Sequence, residues 1–90
     1  MQGGVYLYFS NPHLTAGSFD DLRRLGMKPE VGLRLTFYDY DADDDGRPVY
    51  LCADGRLYLD GQGSWSADID EGTFRTLPRE RDSRASETSV

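Results

Sequence analysis

From Val31 onward the chain alternates apolar and polar residues with a period of two. Val31, Leu33, Leu35 and Phe37 are interleaved with Gly32, Arg34, Thr36 and Tyr38, the pattern of a strand with one face turned to a core. Residues 48–52, 57–59 and 65–69 repeat it between turn-rich segments. The spacing predicts a four-strand antiparallel meander in which odd-numbered side chains from 31 through 69 point inward. Register follows from the turns that keep apolar positions on one face. A three-residue loop, Ala53-Asp54-Gly55, pairs Leu51 with Leu57 and Val49 with Leu59. By the same reasoning Gly61-Gln62-Gly63 pairs Leu59 with Trp65 and Leu57 with Ala67. A hairpin centred on Asp44 sets Phe37 against Leu51 and Leu35 against Ala53. On the other face Arg34 then meets Asp54, Arg56 meets Asp68, and Tyr38, Tyr50 and Tyr58 fall side by side across three strands.

Before the meander, the aromatic and β-branched run at residues 5–9 reads as a strand closed by Ser10-Asn11-Pro12. Ser18 as N-cap, the stripe Phe19, Leu22 and Leu25, and Gly26 as a left-handed stop predict a helix over about residues 18–25. After Ile69 comes a turn at residues 70–72, then either one helical turn or a last short strand at residues 73–77. Residues 1–77 thus form a single domain. Residues 78–90 are polar without an apolar period and read as a disordered tail. A meander flanked by further extended segments can hide its edges by curling into a small antiparallel barrel, SH3-like or OB-like, with the helix at one end. The alternative is an open sheet with the helix on one face. The stretch from Gly32 to Asp39, with Trp65-Ser66-Ala67-Asp68-Ile69-Asp70 and Phe74-Arg75, resembles small uncharacterised bacterial proteins of SH3-like barrel type. The resemblance covers about residues 27–77, implies a fold and transfers no site.

Composition narrows the partners. The 90 residues carry sixteen acids against ten bases, a net charge of −6, so there is no basic surface for nucleic acid or anionic lipid. No apolar run is long enough for a membrane helix, and Met1-Gln2-Gly3-Gly4 lacks the features of a signal peptide. Cys52 is the only cysteine, which fits a reducing, cytoplasmic setting. Nine of the ten bases are arginine, a bias expected of a GC-rich bacterial genome.

The tyrosine row of Tyr38, Tyr50 and Tyr58, joined by Tyr40, is the main candidate site. Tyrosine offers a large contact area, a polar tip and little side-chain entropy to lose. Among aspartates it favours a basic, arginine- or proline-bearing protein partner, the chain itself being a monomer or weak homodimer. The bland alternative is that these rings simply cover the sheet. Asp41-Ala42-Asp43-Asp44-Asp45-Gly46 opens like a calcium loop, but Val49 and Cys52 stand where its later ligands belong. Asp39, Asp41, Asp43 and Asp45 are the candidate ligands of a weaker calcium site, against the alternative of a solvated hairpin tip; no other cofactor is expected. The same Asp-rich hairpin, residues 39–45, suits an acidic inhibitor, immunity-type protein or nucleic-acid mimic. No enzymatic constellation emerges: His13 sits alone in a loop, and Cys52, opposite Arg56, lacks a general base. The ending Glu87-Thr88-Ser89-Val90 resembles ligands of PDZ domains.

Overall fold

The structure, a computed structural model, describes residues 1–79. Most of the segment read as a disordered tail, and with it the PDZ-ligand-like ending, lies outside the described residues. In chain order the elements are β1 (Val5–Tyr6), α1 (Ala16–Arg24), β2 (Arg34–Ala42), β3 (Pro48–Leu59), β4 (Trp65–Ile69), a 3-10 turn (Glu71–Thr73) and β5 (Arg75–Pro78). The expected mainly β chain with one short helix is present. The described residues contain no helix long and apolar enough to cross a membrane.

The expected hairpin at Ala53-Asp54-Gly55 does not form. The two short strands on either side of it are one continuous β3, which pairs with β2 along one edge and with two strands in succession along the other. β4 takes Gly55 to Leu59, and β5 takes Val49 to Cys52. Asp-Gly reads locally as a turn, but here each residue serves the exchange of neighbours. Asp54 N donates to Thr73 Oγ1 at 2.8 Å, and Asp54 O accepts from Asp70 N at 2.9 Å. Its carboxylate accepts from Thr36 Oγ1 at 2.9 Å and from Arg75 Nη2 at 3.1 Å. A Cβ on Gly55 would lie 2.5 Å from the carbonyl oxygen of Asp68. Glycine is required there because β4 approaches so closely, not because the chain turns.

The β2–β3 hairpin is also longer than expected. Asp43 N bonds to Arg47 O, Gly46 takes φ 81°, and Ala42 pairs with Pro48. Phe37 therefore faces Ala53 rather than Leu51, Leu35 faces Gly55, and Arg34 faces Arg56 rather than Asp54. This slip of two residues preserves parity, because side chains alternate with period two. The last hairpin is as expected, with Leu59 opposite Trp65, Leu57 opposite Ala67 and Arg56 opposite Asp68.

The core accordingly gathers Leu35, Phe37, Leu57 and Ala67 from the odd face, with Val5 and Leu7 beside β2 and Leu22 from the helix. Phe19 and Leu25 complete the predicted helical stripe against it. The helix begins earlier than expected. Thr15 is the N-cap, Ser18 is the third helical residue of a capping box, and the Ser18 hydroxyl also donates to Tyr6 O at 2.6 Å. Gly26, at φ 73°, ends the helix in a Schellman arrangement, with Gly26 N on Arg23 O and Met27 N on Leu22 O.

The sheet does not close into a barrel. Its order is β1-β2-β3-β4, with β5 branching from β3, and β1 runs parallel to β2. The strand expected at residues 5–9 is only two residues long, although Leu7 N still donates to Tyr38 O at 2.9 Å. The chain then turns, and Pro12 to Leu14 reach the far edge. Leu14 N donates to Trp65 O at 3.0 Å and Ala67 N to Pro12 O at 2.9 Å. Phe9 and Leu14 pack on the core on the way, so one segment occupies both outer edges that a barrel would have joined.

Gly55→Ala is expected to destabilise the fold by about 1–3 kcal/mol, because the obstructing atom is backbone and cannot swing away. Urea denaturation measures this; a midpoint equal to that of the parent would contradict the close approach of β4.

Candidate functional site

The tyrosine face is built on a buried carboxylate. Asp21, 8% exposed, lies on α1, where its Oδ2 accepts from Tyr6 N at 2.9 Å and from the Tyr38 hydroxyl at 2.8 Å. Its Oδ1 accepts from Arg24. Burial pushes the Asp21 carboxyl upward, but the hydrogen bonds from Arg24, Tyr38 and the Tyr6 amide outweigh it and hold the group below the ordinary carboxylate range. The Tyr38 phenol is pushed far up, by burial first and then by its bond to Asp21, so it remains a donor. One side chain thus ties the helix, β1 and β2 together.

Around Tyr38 three further rings assemble. Its centroid is 5.4 Å from Tyr50, 5.8 Å from Tyr40 and 5.9 Å from Tyr6, each contact edge-to-face. Tyr40 also lies 5.9 Å from Tyr50 and 5.9 Å from Tyr6. Such contacts fix ring orientation as well as burying area. Tyr38 is 5% exposed and is the support of the cluster, not part of its accessible surface, whereas Tyr40 is 55% exposed. The expected row is therefore corrected at two positions. Tyr38 is inside, and Tyr58, opposite Ser66, lies eight residues along β3 from Tyr50, roughly 26 Å at strand rise. Tyr6 takes the place assigned to Tyr58. Its even number matches the face of Tyr38, but only the parallel β1–β2 pairing brings them together.

Two features adjoin the cluster. A cleft beside Tyr40 is lined by Tyr6, Gly17, Asp20, Asp21 and Tyr38. Burial, followed by the nearby Asp39 carboxylate, pushes the Tyr6 phenol above its usual value. On the other flank Leu77 of β5 pairs with Tyr50, and the Arg79 guanidinium lies 5.2 Å from the Tyr40 ring centroid and 6.0 Å from that of Tyr50. Pro78, expected to begin the tail, is instead the end of β5.

The candidate calcium ligands do not converge. Among the described residues no three acidic, histidine or cysteine side chains form a group able to hold a metal. Asp39 and Asp41 each accept the next residue's amide, and Asp43 accepts the amides of Asp45 and Arg47 at 2.9 Å. These carboxylates shape the hairpin itself.

Cys52 is fully buried opposite Tyr38 and Arg75, not Arg56. Burial pushes its thiol up despite the Arg75 charge, the reverse of what a nucleophile needs. His13, expected to be solitary, contacts Ser66 Oγ through Nδ1 at 2.6 Å, with Asp60 Oδ2 3.8 Å from the same nitrogen. A catalytic triad places serine and carboxylate on opposite ring nitrogens. Here both meet one nitrogen, Ser66 is 1% exposed, and Asp60 caps the amides of Gln62 and Ser64. The three residues join the loop before α1 to the last hairpin.

Comparison of the chain with protein-family models, curated proteins and solved structures finds no match.

Asp21→Asn is expected to lower stability by about 1–3 kcal/mol at neutral pH. Because the folded carboxyl titrates below its unfolded value near pH 4, the stabilisation is complete above that value and lost as pH falls through the folded one. The gap between parent and variant in urea midpoint should therefore narrow on acidification from about pH 4 downward; a gap independent of pH would contradict the hydrogen-bonded, ionised state. Millimolar calcium is expected to leave the thermal midpoint unchanged, since a ligand of the native state would raise it.

Proposed function

We propose that this chain is a non-enzymatic protein-binding module whose Tyr6–Tyr40–Tyr50 surface, supported by Tyr38, holds a basic segment of another protein. The observation that carries the reading is Tyr40. A large ring locked against three others yet more than half exposed is a rigid contact surface that loses little entropy on binding. The acidic balance of the chain, −6 overall, supports a basic partner through complementarity. Tyr58, distant from the cluster, is not part of this surface. A cytoplasmic, reducing setting belongs to the same proposal, with buried Cys52 remaining a free thiol.

The test is a panel of short basic peptides titrated against the parent, Tyr40→Ala, and a variant with Asp43, Asp44 and Asp45 all changed to Asn. Tyr40→Ala is expected to weaken binding by about 1–2 kcal/mol, roughly 5- to 30-fold in Kd, and the parent's binding should persist at raised salt. If the Asn variant loses binding while Tyr40→Ala retains it, the acidic-hairpin inhibitor reading replaces this one, and its affinity should fall steeply with ionic strength.

A further inference from the structure

We infer that the group recognised on the tyrosine surface is an arginine guanidinium, and that Arg79 of the same chain is a resident competitor that a partner's arginine must displace. The inference rests on the protein-binding reading above and adds to it the ligand chemistry and a means of regulation.

The Arg79 guanidinium carbon stands 5.2 Å from the Tyr40 centroid and 6.0 Å from that of Tyr50, within the range of attraction between a cation and an aromatic face. Its backbone explains how it arrives there. Arg79 directly follows β5, and its N donates to Pro48 O at 3.3 Å, next to the turn of the β2–β3 hairpin. The side chain lies on the rings while the main chain stays at the sheet edge.

The fit is incomplete, and that makes Arg79 displaceable. Its Nε is buried without a hydrogen-bond partner among the described residues, and Nη2 reaches Asp41 O only at 3.5 Å, the outer limit of such a bond. A buried donor left unpaired is costly, so the contact depends on the ring faces. A planar guanidinium stacks on tyrosine in a way that a lysine ammonium cannot reproduce. An incoming arginine with its hydrogen bonds satisfied from its own peptide would have the better fit. The exposed aspartates of the hairpin at residues 41–45, beside Tyr40, favour its approach. While Arg79 occupies the rings, the apparent affinity for a partner falls by the fraction of molecules left open.

The experiment titrates an acetylated, amidated peptide, Gly-Arg repeated three times, and its lysine counterpart into the full chain, following the Tyr40 and Tyr50 ring protons by NMR. Arg79→Ala is expected to bind the arginine peptide about three- to tenfold more tightly than the parent. Arg79→Gln, which keeps the stem without the charge, should show the same gain and guards against a folding defect in the alanine variant. The lysine peptide should bind more weakly to every form. Equal Kd values for the parent and both variants, with the rings still shifting, would overturn the resident competitor and leave the tyrosine surface standing. Equal affinity for the lysine peptide would overturn guanidinium selectivity. Rings that do not shift in either variant at millimolar peptide would overturn both this inference and the binding reading beneath it.

Discussion

The twelve-residue strand β3 has β2 along one edge and β5 and then β4 along the other, and the rest of the molecule takes its place from that strand. Parity along β3 decides which side chains from β2, β4 and β5 share its two faces. On one face Leu57, Ala67, Phe37 and Leu35 meet the helix stripe. On the other, Tyr50 and Cys52 meet Tyr40 and Tyr38. The strand can be this long only because its outer neighbour changes at one point. Asp54 bonds to residues on both sides of the change, and Gly55 leaves room for β4.

The second constraint is the Asp21 carboxylate. Desolvation opposes a buried charge, yet Tyr6, Tyr38 and Arg24 all donate to this one. With each oxygen supplied, the charge is retained and fixes the Tyr38 ring, against which Tyr6, Tyr40 and Tyr50 then lean. An aromatic surface set before any ligand arrives loses less freedom when one binds. Fold and candidate site are thus joined at a single side chain on the helix.

How far this was legible in the sequence depends on how local the causes are. The alternation read from Val31 to Ile69 places Leu35, Phe37, Leu57 and Ala67 on the core face. Val31, in a turn before β2, and Leu59 are nevertheless exposed, and Tyr38, Cys52 and Ser66 are buried from the other face. The Gly61-Gln62-Gly63 hairpin has the expected register because it follows from neighbours in sequence. The Phe19, Leu22 and Leu25 stripe and the stop at Gly26 were legible for the same reason. Asp54-Gly55 misled because its local turn preference is real, whereas the cause of its conformation is the carbonyl of Asp68 and the hydroxyl of Thr73. Ser18 looked like a cap because serine usually is one; it is drawn inward by Tyr6 O, twelve residues earlier. The tyrosine cluster was half visible. Tyr38, Tyr40 and Tyr50 share a parity, but Tyr6 joins through a parallel pairing no turn signals, and Arg79 by directly following a strand that runs as far as Pro78.

The segment from Val5 to Leu14 has a kinetic consequence. It pairs with Phe37 and Tyr38 at one end and meets Ser66, 53 residues from His13, at the other. Both attachments join residues distant in sequence, and closing such loops carries an entropic cost that no local contact offsets. Non-local pairing of this kind slows folding relative to the β2–β3 and β3–β4 hairpins, whose partners lie close in sequence. With the segment in place, the edges of β2 and β4 that it covers are withheld from pairing with the strands of another chain.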